Sequence, residues 1–190
     1  AGQAKFARGK ALDNVTPAGV WMNILFTEEG NRSDAEFAKA QKILAQTLDD
    51  AFIYTWRVKY KYMVQRPDMR IPHLSIAFMD PPFPGYTSGH ATTSHAANTV
   101  LSYLFPHKKQ LWEQLGSDAR NSRLSAAIHM DSDQQIGEYY GKSIGDRILQ
   151  KLYPQTYSHV DYSYLKTKKG PIADFMLLWF LKAQMKARDT

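Results

Sequence analysis

The sequence predicts an all-α fold, folded as a single helical domain over residues 1–190. Apolar residues recur at intervals of three and four over long stretches, as expected for amphipathic helices. Proline or a capping residue stands at the start of several of these stretches. No credible strand ladder is present. A chain of 190 residues can bury a proper core without covalent staples, so one domain is the expectation.

The composition is that of an ordinary globular protein, with 44% hydrophobic and 22% charged residues. No stretch approaches the roughly 20 apolar residues that a membrane-spanning helix requires, so no membrane span is expected. The absence of cysteine excludes disulfides, a thiolate-bound metal and a thiol nucleophile. The net charge of +6 favours anionic ligands without selecting one. The N-terminus fits a processed mature chain or a fragment equally well, and a periplasmic or secreted location is expected.

The first two helices are predicted from their start signals. Thr16-Pro17 opens a helix that Gly30 closes. The segment Ser33–Glu36 has the spacing of a capping box and opens a long helix that ends before Pro67. Apolar residues at helical intervals support the long helix: Phe37, Ala40, Leu44, Leu48, Phe52 and Trp56. Five prolines between residues 67 and 87 then predict a loop.

The second half of the chain is predicted to hold further helices. One begins near Ser88 and runs to Pro106. A short helix precedes Gly116, and two others follow at about 119–130 and 132–152. Residues spaced by four support the last of these: Ile136, Tyr140, Ile144, Ile148 and Leu152. Pro171 opens a final helix, which its apolar run marks as buried.

Lys59 and Arg66 follow the apolar stripe of the long helix and form the first candidate site segment. Seven residues are nearly two helical turns, so both cations project from one face about 10 Å apart if the helix persists. An unpaired cation on a buried face is costly and requires a partner. The alternative is that the helix turns its face and both side chains extend into water.

Ser88, Gly89 and His90 stand at a predicted junction between loop and helix. Backbone N–H groups at such a junction are free to donate, and glycine lets an anion approach closely. The alternative is an ordinary serine N-cap beside an exposed histidine.

A third segment contains Arg123, His129 and Asp133. His129 and Asp133 are four residues apart, so on a helix the carboxylate can fix the imidazole tautomer and raise its basicity. Arg123 and His129 fall on different helical faces, so both can reach one ligand only if the helix breaks between them.

Together these segments, which lie between residues 56 and 133, resemble the signature of a known superfamily. It is that of the type 2 phosphatidic acid phosphatases (PAP2) and vanadium haloperoxidases, and the likeness is to soluble bacterial haloperoxidase-like proteins. The resemblance implies a helical bundle of the acid phosphatase and vanadium haloperoxidase type. The matching motifs are Lys59-x6-Arg66-Pro67, Ser88-Gly89-His90 and Ser122-Arg123-x5-His129-x3-Asp133.

The resemblance also implies a role for each residue. His129 is expected to be the axial vanadium ligand, or the nucleophile that becomes phosphohistidine. His90 is expected to act as the acid–base residue, and Asp133 to orient His129. The implied oxoanion-binding residues are Lys59, Arg66, Ser88, Gly89 and Arg123.

Two aromatic residues favour the peroxidase branch of the superfamily. Trp56 and Phe83 resemble the aromatic lining beside the halide in haloperoxidases, although core packing is the alternative. Two positions depart from the family pattern: Thr87 stands where proline is usual, and Asp131 adds a carboxylate that could weaken anion binding. Soluble haloperoxidases are also much longer, so the chain is expected to be the C-terminal catalytic part of a longer protein or one of two chains.

The expected function is that of a vanadium-dependent haloperoxidase-like enzyme, which oxidises halide with hydrogen peroxide at a histidine-bound vanadate. The alternative is a soluble PAP2-type acid phosphatase that forms phosphohistidine from a phosphomonoester, since vanadate and phosphate mimic each other. A homologue without activity and a nucleic-acid binder were the other hypotheses, and no nucleic acid partner is expected. A homodimer or an upstream chain is a possible assembly. The other histidines are expected to be structural or exposed: His73, His95, His107 and His159.

Overall fold

The computed structural model describes residues 16–31, 34–77 and 81–162. This part of the chain forms five α-helices and no strand, which confirms the all-α prediction. A short 3-10 helix, Pro106–Lys108, precedes α4. The helix predicted from Pro171 lies outside the described residues. The helices are α1 (Pro17–Glu29), α2 (Ala35–Tyr62), α3 (Gly89–Leu104), α4 (Lys109–Ser125) and α5 (Asp131–Leu152).

Helix α3 lies at the centre of the fold and packs against the four other helices. The main hydrophobic core fills the space between the C-terminal part of α3 and helices α1, α2, α4 and α5. It is anchored by large side chains with no more than 2% exposure: Trp21, Leu44, Leu48, Leu101, Trp112 and Leu149. This arrangement leaves the N-terminal end of α3 available for polar groups.

The ends of α1 and α2 follow capping chemistry. The hydroxyl of Thr16 accepts from the N–H of Gly19, and the N–H of Gly30 closes α1 on the carbonyl of Phe26. Helix α2 begins one residue later than predicted, because the carboxylate of Asp34 accepts from the N–H of Phe37.

Helix α2 ends at Tyr62, earlier than predicted. Met63 adopts a left-handed conformation with φ of 50° and donates to the carbonyl of Lys59. The prediction that Arg66 shares a continuous helical face with Lys59 is therefore wrong. Arg66 is brought back to the site by the chain that follows the helix.

The buried face of α2 also changes along its length. Leu44 and Leu48 are buried, but Phe52 and Trp56 of the predicted stripe are only half-buried. A spacing of four advances each side chain about 40° around a helix of 3.6 residues per turn, so the stripe drifts away from the core. A neighbouring row takes over the buried face: Ala51, Thr55, Val58 and Lys59.

Gly116 does not separate two helices, because α4 is continuous across it. A β-carbon at Gly116 would lie 2.3 Å from the side-chain nitrogen of Asn98 on α3. Glycine serves here to let α3 and α4 approach closely, so the prediction of a helix end at this position is wrong.

Three glycines spaced by four let α5 approach α3 in the same way. A β-carbon at Gly137 would lie 3.0 Å from the carbonyl oxygen of Ser88, and one at Gly141 would lie 2.3 Å from that of Thr92. A β-carbon at Gly145 would meet the carbonyl of Ala96 at 3.0 Å. Helix α5 is therefore aligned on α3 by a glycine row, while the predicted row that starts at Ile136 is at most half-buried.

No helix in the described part of the chain is both long and apolar enough to cross a membrane.

Candidate functional site

The loop before α3 holds two cations in place. The Nζ of Lys59 donates to the carbonyl oxygens of Pro84 and Gly85 at 2.6 and 3.0 Å. The Nε of Arg66 donates to the carbonyl oxygen of Phe83 at 2.9 Å. Three successive carbonyls therefore fix both side chains, a role that the sequence analysis missed. The available signal was the concentration of prolines, which lack an N–H but keep a carbonyl acceptor.

Arg66 also reaches the other side of the site. Its Nη1 donates to the carbonyl oxygen of Ile128 at 2.8 Å and lies 3.4 Å from Nε2 of His129. Arg66 and Lys59 are each only 2% exposed. The alternative in which these cations extend into water is therefore wrong.

Lys59, Arg66 and Arg123 form a buried cation cluster. Arg123 lies in the last turn of α4, where its Nε donates to the hydroxyl of Ser122 at 3.0 Å. Burial, followed by the charge of Arg66, lowers the pKa of Arg123 to about 10. The same two causes lower the pKa of Lys59 to about 7, although the carboxylate of Asp133 opposes them. The charge of Arg66 thus repels both Lys59 and Arg123, and a bound anion would relieve this repulsion.

The N-terminus of α3 borders the same region. Ser88 is the N-cap, and its hydroxyl oxygen accepts from the N–H of Ala91 at 3.3 Å, which leaves the hydroxyl hydrogen able to donate. Among the described residues, a β-carbon at Gly89 would meet only the γ-methyl of Thr55 within 4 Å, at 3.6 Å. The space beside Gly89 is therefore open to a ligand, and the first-turn amides can donate into it.

The helix ends between Arg123 and His129, which is the condition for both residues to reach one ligand. Helix α4 ends at Ser125, and Ala127 adopts a left-handed φ of 57° before α5 begins at Asp131. The turn brings His129 toward Arg66, while Arg123 stays on the last turn of α4.

His129 is oriented by Asp133. The Nδ1 of His129 donates to Oδ2 of Asp133 at 3.1 Å, because an ionised carboxylate can only accept. The same oxygen accepts from the N–H of Met130 at 3.1 Å, which anchors the start of α5. This tautomer leaves the lone pair on Nε2, the atom that faces Arg66.

Burial determines the charge of His129. It lowers the pKa of His129 to about 4, and the charges of Lys59 and Arg66 add to the effect. Asp133 raises the basicity as predicted, but burial outweighs it. The imidazole is therefore neutral near pH 7, with its Nε2 lone pair able to bind a metal centre or attack phosphorus.

His90 follows Gly89 in the first turn of α3. Burial lowers the pKa of His90 well below its usual range, and the positive charges of the cation cluster lower it further. His90 thus shares the electrostatic environment of the cluster. Its neutral form can take up a proton.

The ring of Phe83 lies beside the cation cluster, and the ring of Trp56 packs against it. The ring centre of Phe83 is 5.3 Å from Nζ of Lys59 and 5.0 Å from Cζ of Arg66, distances typical of cation–π contacts. The two aromatic rings meet edge to face at 4.9 Å. Neither ring belongs to the hydrophobic core clusters of the described residues, which argues against the alternative of simple core packing.

Asp131 does not add an unbalanced charge to the site. Its Oδ1 accepts from Nη2 of Arg120 at 3.2 Å, and its Oδ2 accepts from the side chain of Gln135 at 2.6 Å. The carboxylate is therefore paired with a cation outside the cluster. This pairing removes the reason to expect that Asp131 weakens anion binding.

The other histidines lie apart from the site. His95 is buried on α3, where its Nε2 lies 4.0 Å from Glu138 and burial lowers its pKa to about 4. The remaining three are exposed: His73, His107 and His159.

Comparison with known proteins supports the resemblance seen in the motifs. A bacterial vanadium-dependent iodoperoxidase of known structure matches with a TM-score of 0.68 and 26% sequence identity, over 80% of this chain. This chain spans 43% of the length of that protein. No family model matches the sequence, and no curated protein matches it.

The chain therefore has a fold of the vanadium haloperoxidase and PAP2 type. The structural neighbour is an enzyme, and the likeness supports a place for this chain in the same superfamily.

The residues present fit a vanadate or phosphate group. Three buried cations, open space beside Gly89 and a neutral histidine provide hydrogen-bond donors and one lone pair. In the described residues, no group of three or more His, Asp or Glu side chains could hold a bare metal ion. This donor set suits a tetrahedral oxoanion.

Anion binding is expected to depend on the protonation of Lys59. Its pKa of about 7 in the anion-free protein means that binding an anion above this pH requires uptake of a proton. Sulfate, which keeps its charge over this range, should bind about tenfold more weakly for each pH unit above 7. Calorimetric titration between pH 6 and pH 9 measures this slope. The Lys59→Met variant should lose the slope, and an unchanged slope in that variant would contradict the assignment.

Proposed function

We propose that the chain is a vanadium-dependent haloperoxidase-like enzyme that oxidises halide with hydrogen peroxide. One observation carries the proposal: the neutral imidazole of His129 presents its Nε2 lone pair beside a buried cation cluster. The likeness to a bacterial vanadium-dependent iodoperoxidase favours peroxidase over phosphatase chemistry. Iodide is accordingly the first halide to test.

In this proposal the chain holds vanadate by its oxygens and by one nitrogen. Nε2 of His129 would ligate vanadium, and the donors to the oxygens would be Lys59, Arg66, Arg123, the hydroxyl of Ser88 and the N–H of Gly89. Vanadate, when bound, supplies a Lewis acid that activates hydrogen peroxide toward halide.

The remaining groups of the site position and move protons. Lys59 uses two of its three N–H groups on loop carbonyls, so one remains to polarise peroxide oxygen. His90, neutral near pH 7, accepts a proton from hydrogen peroxide. Asp133 holds Nδ1–H of His129 and thereby keeps Nε2 directed at the vanadium position.

The aromatic residues line the path by which a halide would reach the site. Phe83 covers the side of the cluster next to Lys59 and Arg66, and Trp56 packs against the ring of Phe83. Apolar rings exclude water there, so a weakly hydrated halide reaches the site with little loss of hydration. Electrostatic interactions also strengthen in a drier site.

The decisive experiment measures two activities on one preparation. The purified chain, with any upstream part of its protein, is assayed for peroxide-dependent oxidation of iodide and bromide with added vanadate. Phosphate release from a phosphomonoester is assayed without vanadate. Halide oxidation that requires vanadate supports the proposal. Phosphate release without halide oxidation would refute the peroxidase assignment and favour the phosphatase, and only the assignment of an oxoanion pocket would remain.

Replacing Phe83 with histidine is expected to change the halide preference or the peroxidase rate by about tenfold or more. The imidazole would bring a polar, hydrated group to the surface that faces Lys59 and Arg66. Vanadate affinity should stay close to wild type, because Phe83 fixes Arg66 through its backbone carbonyl, which the substitution retains. Steady-state rates with iodide and bromide at saturating vanadate measure the effect. Equal rates and an unchanged halide ratio would contradict a role at the halide site.

A further inference from the structure

Thr55 differs from every other threonine in the described helices. The hydroxyls of the others donate to the carbonyl four residues earlier, which is the usual arrangement for a threonine within a helix. Those threonines are Thr27, Thr47, Thr92, Thr93 and Thr99. Thr55 is 2% exposed, and its hydroxyl has no hydrogen-bond partner among the described residues. A buried hydroxyl without a partner is unfavourable, so a partner is expected in the functional state.

The position of Thr55 identifies that partner. It precedes Lys59 by one turn of α2, and residues four apart on a helix are neighbours on its surface. Its γ-methyl lies 3.6 Å from the position of a β-carbon at Gly89. Thr55 therefore sits between the helix that carries Lys59 and the first turn of α3, next to the open space beside Gly89.

We infer that Thr55 is a further oxoanion-binding residue, whose hydroxyl donates to an oxygen of the tetrahedral anion. The inference deepens the proposed function and depends on the same pocket. Lys59, one turn away on α2, is a cation, and the first-turn amides of α3 are donors, so an anionic oxygen is the acceptor that complements both. A serine or threonine hydroxyl is free to rotate its hydrogen toward such an oxygen.

The test compares the affinities of four proteins for vanadate and for inorganic phosphate by calorimetry. Thr55→Val keeps the shape and the γ-methyl on the side of Gly89 but removes the hydroxyl, and Thr55→Ser keeps the hydroxyl. Thr47→Val is the matched control, because Thr47 is also buried on α2 but donates to the carbonyl of Ile43 at 2.7 Å.

The Thr55→Val variant is expected to bind both anions about tenfold to a hundredfold more weakly, the loss typical of one hydrogen bond to a charged group. The melting temperature without anion should stay the same or rise by about 2–4 °C, because the variant buries no unpartnered hydroxyl. Thr55→Ser and Thr47→Val should bind like the wild type. A purely structural role for Thr55 predicts a lower melting temperature and no specific loss of affinity.

Three results would overturn the inference: wild-type affinity in Thr55→Val, an equal loss in Thr55→Ser, or a melting temperature that falls together with affinity. The peroxidase proposal is judged separately by halide oxidation in the wild type. Vanadate binding without halide oxidation would refute the peroxidase and leave the role of Thr55 intact. A wild type that binds neither anion would refute both.

Discussion

Replacing His129 with alanine is expected to abolish peroxidase or phosphatase turnover, with a loss of about a thousandfold or more. The Nε2 atom of His129 is the lone-pair donor beside the cation cluster in the proposed mechanism, as ligand or as nucleophile. Asp133→Ala should cost about 10- to 100-fold, because a residue that orients a ligand contributes less than the ligand itself. Turnover at saturating vanadate, or with a phosphomonoester, measures both losses.

The cation cluster provides the control for this comparison. It is unchanged in His129→Ala, so sulfate should still bind to this variant at pH 6, and a retained melting temperature excludes loss of the fold. Small and equal losses of turnover in the two variants would contradict the roles assigned to His129 and Asp133.

Replacing Gly141 with alanine is expected to destabilise the protein by about 1–3 kcal/mol or more. Helix propensity alone predicts the opposite sign, since alanine is about 1 kcal/mol more favourable than glycine within a helix. Sterics should win, because the added β-carbon would lie 2.3 Å from the carbonyl oxygen of Thr92 and 3.0 Å from the N of Ala96. These are backbone atoms, so relief requires α3 and α5 to move apart.

Chemical or thermal unfolding measures the effect of Gly141→Ala, for which a fall of roughly 2–4 °C per kcal/mol is expected in a chain of this size. Arg147→Ala on the same helix is the control, because Arg147 is exposed and its replacement should change stability by no more than about 0.5 kcal/mol. A Gly141→Ala protein more stable than wild type would show that the glycine row does not set the distance between these helices.

Much of the fold was predictable because helical periodicity and capping signals are local properties. The start of α1 at Pro17 and the span of α5 followed from them directly. Close contacts between helices are not local. The sequence around Gly116 therefore predicts a helix end, whereas in the structure this glycine faces Asn98 of α3. The row of glycines in α5 was visible in the sequence, but its meaning depends on the helix that it faces.

The candidate site was predictable as a set of residues but not as a geometry. The motifs named Lys59, Arg66 and His129, and the structure brings these three together. The predicted continuous helix from Lys59 to Arg66 was wrong, because a methionine does not indicate the left-handed conformation that ends the helix at position 63. The prolines of the loop indicated backbone carbonyls without a competing N–H, but not which side chains those carbonyls would hold, so the contribution of residues 83–85 required the structure.

On the proposed function, the carbonyls of residues 83–85 would also affect which anions the cluster selects. Immobilising a long flexible side chain on binding usually costs about 0.5–1.5 kcal/mol. Lys59 and Arg66 are already immobilised by the loop, so this cost falls on folding rather than on association. Rigid donors also cannot regroup around a ligand of another shape. Discrimination between a tetrahedral anion and a planar one, such as nitrate or carbonate, thus becomes a property of the backbone of one short loop.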